Sequence, residues 1–245
     1  MTATLICVKV LLRYYEMDRI AMIDYKLTRS NRKTVAIHIR DGAVEVRAPL
    51  YMLNRDIDRF ILSRERWVKE KLAESNGKKA LRKDFSLNYG DYLMYRGKQY
   101  PITIKQGDRV GFDDEGFYIP PDLTPEQIKH ACIQIYRVLA KRDLTKIALA
   151  LSGKMSVTPT AIRINSAKSR WGSCSVRESV NFSWKLIMAD DDIIEYVVVH
   201  ELAHITELNH SKRFWALVKS VLPDYTERKV RLKELQDKLA GEDWE

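Results

Sequence analysis

The sequence predicts an α+β protein, with a β-rich N-terminal portion ahead of a mostly helical portion built around a histidine-bearing helix. Three observations carry this. Residues 33–121 alternate apolar and polar side chains in short runs separated by Asp-Gly and Gly turns. From Thr124 onward, apolar residues recur at three- and four-residue spacing over long windows. The 245 residues include only 10 Gly and 7 Pro, too few for a loop-dominated chain. Strands followed by helices, rather than regular alternation of the two, is the order of an α+β fold.

Residues 1–22 read as an N-terminal extension. Ala3 to Leu12 is apolar but broken by Lys9, and it is far short of the ~20 apolar residues that span a bilayer. It also lacks the basic start and small-residue cleavage site of a signal peptide. Met1, Met17 and Met22 all precede the first structural pattern, so each is a candidate start. Residues 23–121 form the basic, β-rich portion. Val35, Ile37 and Ile39 alternate, Asp41-Gly42 turns, and Val44, Val46 and Ala48 resume, which predicts a hairpin. Asn54 caps a helix with the stripe Ile57, Phe60, Ile61, Trp67, Val68 and Leu72, stopped by Ser75-Asn76-Gly77. A basic connector follows (Lys78, Lys79, Arg82, Lys83), then strands over Tyr92–Tyr95, Tyr100–Ile104 and Phe117–Ile119, closed by Pro120-Pro121.

Residues 122–245 form the helical portion. Thr124 as N-cap, Pro125 at the first position and Gln127 at the third make a capping box. The helix continues on Ile128, Cys132, Ile135 and Leu139 and ends at Gly153, with Cys132 as core filling. Strands follow over Ala161–Ile164 and Val180–Trp184, and helices begin at about Asp190.

Lys and Arg number 42 against 33 Asp and Glu, a net charge of +9. Residues 1–120 hold 23 basic and 16 acidic side chains, and the remainder 19 and 17. A nucleic-acid partner is thereby raised, though ordinary solvated surface accounts for such an excess more often. Cys7, Cys132 and Cys174 are odd in number and far apart, which fits a reducing compartment and a cytoplasmic protein. Nothing suggests a membrane partner.

The chemistry concentrates in His200-Glu201-Leu202-Ala203-His204. On a helix the two histidines lie one turn apart on one face, where their imidazoles can meet a single ion. Glu201 stands beside the first ligand and can act as general base on a water activated by that ion. Chance yields about 0.006 such motifs in a chain of this composition. Val197-Val198-Val199 favours a strand locally, but Asp190, Asp191 and Asp192 supply the negative charge that a helix N-terminus prefers. His210, six residues past His204, is a third ligand only if the helix ends between them. Asn209 can make that turn in the left-handed region and Ser211 can cap the next helix. The resulting H-E-x-x-H-x5-H spacing is that of metzincins, whose turn glycine falls at Glu207 here. His38 and His130 have no ligand-like spacing.

Upstream, Lys168-Ser169-Arg170-Trp171-Gly172-Ser173-Cys174-Ser175 is a polar stretch around one aromatic. It reads either as a turn anchored by a buried Trp171 or as a substrate-side rim of Arg170, Ser173 and Lys168, with Arg170 or Lys168 facing an anionic group or oxyanion. Cys174 is a weaker candidate for ligand or nucleophile.

Arg170-Trp171-Gly172-Ser173-Cys174-Ser175, Tyr196-Val197-Val198-Val199-His200-Glu201-Leu202-Ala203-His204, and Asn209-His210-Ser211 with Phe214-Trp215 resemble the YgjP-like predicted metal-dependent hydrolases, and more remotely SprT-like zincins. Arg29-Ser30, Arg32-Lys33-Thr34 and Arg47-Ala48-Pro49 are similar to that family's N-terminal region. Relatives often carry Gly and Pro around the strand before the histidine helix, where this chain has Glu178-Ser179 and Ala189-Asp190. The resemblance implies a zincin-like metal site, with His200, His204 and His210 as ligands and Glu201 as base. An all-imidazole site suits one Zn²⁺ per chain. The expected reaction is hydrolysis of a peptide or protein substrate. A nucleotide phosphoanhydride hydrolase using Arg163, Lys168 or Arg170 is the first alternative, and a DNA-associated protease or nucleic-acid-binding module the second.

Overall fold

The computed structural model describes residues 23–168 and 170–244, so the expectations for residues 1–22 lie outside the described residues. The chain divides into two compact units at Lys83/Asp84. The break expected at 121 is not where the division falls, because the strands after Asp84 share one hydrophobic core with the C-terminal helices.

In the first unit, β1 (Tyr25–Ser30), β2 (Ala36–Arg40) and β3 (Ala43–Pro49) form a sheet of order β1-β3-β2. The predicted hairpin is β2–β3, paired antiparallel. Asp41 and Gly42 both take positive φ, 49° and 79°, the pair of left-handed residues that a tight hairpin turn needs. The strand β1, which the alternation pattern did not announce, pairs parallel with β3. Val44, Val46 and Ala48 bury one face of the sheet against Ile57, Ile61 and Val68.

The single helix expected from Asn54 to Gly77 is two helices, α1 (Asn54–Leu62) and α2 (Glu65–Asp84). Asn54 does not cap it: Leu53 is the N-cap residue, and the Asn54 Oδ1 instead accepts a hydrogen bond from Arg29 at 2.6 Å. The chain breaks at Ser63, whose hydroxyl donates to the Phe60 carbonyl. Nor does Ser75-Asn76-Gly77 stop α2, so the supposed basic connector is helical. Lys71 and Lys78 both pair with Glu74 across that stretch, and such i,i+3 and i,i+4 pairs support a helix through a weak glycine.

The second unit begins with a four-stranded sheet of order β4-β5-β7-β6, made of β4 (Tyr92–Tyr95), β5 (Lys98–Ile104), β6 (Gly111–Asp113) and β7 (Gly116–Ile119). The short β6 was not predicted. Helix α3 (Pro125–Met155) packs on this sheet and opens with the expected capping box, Thr124 and Gln127 each satisfying the other's backbone N–H. It runs through Gly153 and ends at Ser156 in the left-handed region. Cys132 is fully buried on its stripe, and burial pushes its thiol pKa up to about 12, consistent with core filling. An aromatic cluster of Phe117, Tyr136, Trp184 and Trp244 fills the centre.

The third sheet, order β8-β10-β9, comprises β8 (Ala161–Asn165), β9 (Gly172–Cys174) and β10 (Ser179–Ser183). A buried 3₁₀ turn, Trp184–Met188, leads from it into α4 (Asp191–Thr206), followed by α5 (Lys212–Val221) and α6 (Tyr225–Leu239). The Val197–Val199 run is helical and buried. A helix apolar on most of its circumference belongs in a core, and here that burial overrides the local strand preference. Among the described residues, no helix is long and apolar enough to cross a membrane.

Candidate metal centre

Helix α4 is held at its N-terminus by three arginines from other elements. Arg96, in the left-handed turn between β4 and β5, clasps Asp191 through Nε and Nη2 at 2.6 and 2.9 Å. Arg231 of α6 pairs with Asp190 and Asp192, and Arg228 reaches Glu195 and the Asp192 carbonyl. The aspartates read from sequence as helix-start charges therefore also fix where the helix points.

At the other end, α4 stops after Thr206. Glu207 is extended, with φ −125° and ψ 99°, and its carbonyl lies 3.0 Å from His204 Nδ1. This departs from the turn expected at Asn209, which is not among the residues with positive φ. The reversal needs no left-handed residue because an extended Glu207 swings the chain away while its carbonyl anchors His204. Ser211 caps α5 as predicted, its hydroxyl accepting the Phe214 N–H. The Asn209 carbonyl accepts the Ser211 N–H at 2.7 Å.

That turn brings His210 back over the helix. One ligand atom from each of His200, His204 and His210 lies within 4.8 Å of the others, and His200 and His210 face each other Nε2 to Nε2 at 3.0 Å. Since a carbonyl only accepts, His204 carries a proton on Nδ1, which leaves Nε2 as the nitrogen that faces the other imidazoles. The His200 Nδ1 is buried and makes no hydrogen bond among the described residues. Burial, then the neighbouring His204, His210 and Lys229, lower the His200 pKa to about 3, and the same influences except His210 lower that of His210. Neutral imidazoles are the form that binds metal. This donor set fits a divalent cation.

Phe214 is fully buried and serves as the floor of the site, its ring 4.6–4.9 Å from all three imidazoles. Trp215 stacks on His210 and on Tyr225. Neither role was read from the sequence. The available signal was their position on the first turn after the Ser211 cap.

The Glu201 side chain is buried under β9. The Cys174 backbone N–H lies near its carboxylate, and the Gly172 Cα lies so close that a Cβ there would be 2.5 Å from Glu201 Cγ. Burial raises the Glu201 pKa to about 7, against the lowering effect of Arg170 and the Cys174 N–H. A carboxylate poised near neutrality is suited to exchanging protons.

The segment read as a polar loop is partly a strand. Ser173 lies in β9 opposite Asn181. Arg170 and a half-buried Trp171 line a cleft of about 390 Å³ that also borders His200 and Glu201. Lys168, Ser173 and Arg163 do not line it. Cys174 is not part of the ligand cluster. Lys229 and Lys233 line the cleft from α6 and were missed, although with Leu232 and Gln236 they recur at the three- and four-residue spacing of one helix face.

Two solved structures resemble part of the chain. One is the metallopeptidase zymogen of Pyrococcus abyssi abylysin, at 20% identity and TM-score 0.34, covering 36% of this chain and 90% of that one. The other is the metallopeptidase zymogen of Methanocaldococcus jannaschii jannalysin, at 18% identity and TM-score 0.35, covering 38% and 95%. No curated protein matches the chain. The family model described as YgjP-like, metallopeptidase domain, matches residues 33–235, taking in β2 and β3 of the first unit as well as the histidine helix. The chain belongs to the YgjP-like metallopeptidase domain family and is a metal-dependent hydrolase.

Proposed function

We propose that the protein is a zinc peptidase whose ligands are His200, His204 and His210 and whose general base is Glu201. The observation that carries this is the convergence of three imidazoles, with the buried Glu201 next to the first of them on α4 and both His200 and Glu201 bordering one cleft. A divalent cation on that donor set, zinc by its nitrogen-only chemistry, supplies Lewis acidity to the scissile carbonyl and to water. Glu201 accepts the proton of the attacking water and returns it to the leaving amine. Gly172 leaves room for that carboxylate. Strand β9 pairs with β10 on one side only among the described strands, so an extended peptide can pair with its other edge and lay its backbone past Glu201.

Peptide chemistry is favoured over phosphoanhydride hydrolysis. Basic residues do not separate the two readings, since Arg163 and Lys168 do not line the cleft but Arg170, Lys229 and Lys233 do; the donor set does. The described residues hold no carboxylate cluster of the kind Mg²⁺ prefers.

Metal analysis of the purified protein is expected to give about one zinc per chain, lost in large part from His200→Ala, His204→Ala and His210→Ala. Glu201→Gln is expected to keep its zinc and lose peptide hydrolysis by 10²-fold or more, on the order of a general base's contribution. A zinc-loaded Glu201→Gln protein with near wild-type turnover would overturn the base assignment. Full zinc in His210→Ala would overturn the third ligand.

A further inference from the structure

The cleft beside the histidines has a charge pattern that differs from the rest of its helix. On α6, Arg228 and Arg231 are neutralised by carboxylates on α4 and just before it. Lys229 and Lys233, facing the cleft, have no carboxylate partner among the described residues. Lys229 is held over the Trp215 ring, its Nζ 5.2 Å from the centroid, and Trp215 in turn stacks on His210. The ammonium therefore stands close to the ligand histidines. Arg170, just ahead of β9, lines the cleft as well. Among the described residues, the only acid lining the cleft is Glu201, and Trp171 and Leu232 add apolar surface to the lining.

Three cations around a partly enclosed, partly apolar cavity favour an anion with a short hydrocarbon stem. We propose that this cleft seats a carboxylate of the peptide substrate next to the scissile bond, with Arg170, Lys229 and Lys233 as specificity determinants. This rests on the peptidase reading above. Two sources offer that chemistry, a Glu or Asp side chain and a free C-terminus. Lysine at the same position meets three like charges and is rejected, since like-charge juxtaposition penalises the wrong partner.

The test uses zinc-loaded full-length protein and internally quenched peptides that differ at one position beside the scissile bond, Glu, Gln, Ala or Lys. Each is made with a free and with an amidated C-terminus. The expected kcat/KM for Glu exceeds that for the isosteric Gln by about tenfold, the scale of two to three partly exposed ion pairs, and Lys is poorest. If only amidation abolishes the preference, the recognised carboxylate is the C-terminal one. In Lys229→Gln/Lys233→Gln, with zinc content confirmed, the Glu-to-Gln ratio falls toward one. Binding of the same peptides to zinc-loaded Glu201→Gln, followed by tryptophan fluorescence, gives a second readout that does not depend on turnover. Cleavage of Glu, Gln and Lys peptides at equal rates, free and amidated alike, would overturn this inference and leave the peptidase reading standing. Equal binding of all peptides together with no cleavage of any would overturn both.

Discussion

Gly172 shows how narrowly one residue constrains this site. Its φ is ordinary, so backbone freedom is not what requires glycine. The Glu201 carboxylate occupies the space where a side chain would be. Gly172→Ala is expected to displace Glu201 and cut peptide turnover at least tenfold while zinc content stays near wild type, because the imidazoles sit on other elements. Mass spectrometry of the metal-loaded protein alongside a turnover assay checks both halves. Glu178 is the converse case. It sits in the β9–β10 turn with φ 59°, where an L side chain is disfavoured and glycine is not. Glu178→Gly is expected to stabilise the protein by about 0.5–1 kcal/mol, seen as a higher denaturation midpoint. An unchanged or lower midpoint would show that the Glu178 side chain makes a compensating contact.

At the scale of elements, helix α3 is the brace of the second unit, and two of its features are separately testable. Losing the Thr124 cap in Thr124→Ala is expected to cost about 1 kcal/mol. Further along, Asp143 is buried and accepts hydrogen bonds from Tyr95 and Arg142. Burial alone would raise its pKa, but the Arg142 and Tyr95 hydrogen bonds outweigh it and hold the carboxyl below its usual range. A depressed folded-state pKa means stability that is present above the unfolded value of about 3.9 and is lost as pH falls through the folded one. Asp143→Asn is therefore expected to lower stability at pH 7 by about 1–2 kcal/mol. It should also flatten the dependence of stability on pH below about 4. Denaturation midpoints measured from pH 2 to 7 on both proteins decide it, and parallel curves would rule the linkage out.

At the scale of the whole molecule, the two units carry their charge unequally. Residues to Lys83 hold 19 basic and 10 acidic side chains, and those after it 23 of each. The entire excess of +9 thus belongs to the first unit. Its densest basic run, Lys78, Lys79, Arg82 and Lys83, lies at the end of α2, where Lys78 pairs with Glu74 and Arg82 with Asp41. Cations already paired add little to phosphate binding. DNA affinity is expected to be weak, with a slope of log affinity against log salt shallower than about 2. Replacing the four residues by Gln should change that slope by less than about 1 unit, where each lost phosphate contact removes roughly 0.9. A wild-type slope of several units that collapses in the fourfold variant would point instead to a DNA-directed protease.

What the sequence determined by itself was whatever a few neighbouring residues dictate. The four-residue spacing of His200 and His204, the Thr124–Gln127 box, the Asp41-Gly42 turn and the Ser211 cap are all local geometry, and each holds in the structure. What only the tertiary structure decided depends on partners distant in the chain. Arg29 claims the Asn54 side chain that would otherwise cap α1. Strand β1 finds its partner in β3, across the β2 hairpin. Burial keeps Val197–Val199 helical and brings the Glu201 carboxylate near neutral pKa. Phe214 and Lys229 reach the histidines only because α5 and α6 fold back on α4, and no spacing rule along the chain encodes that return.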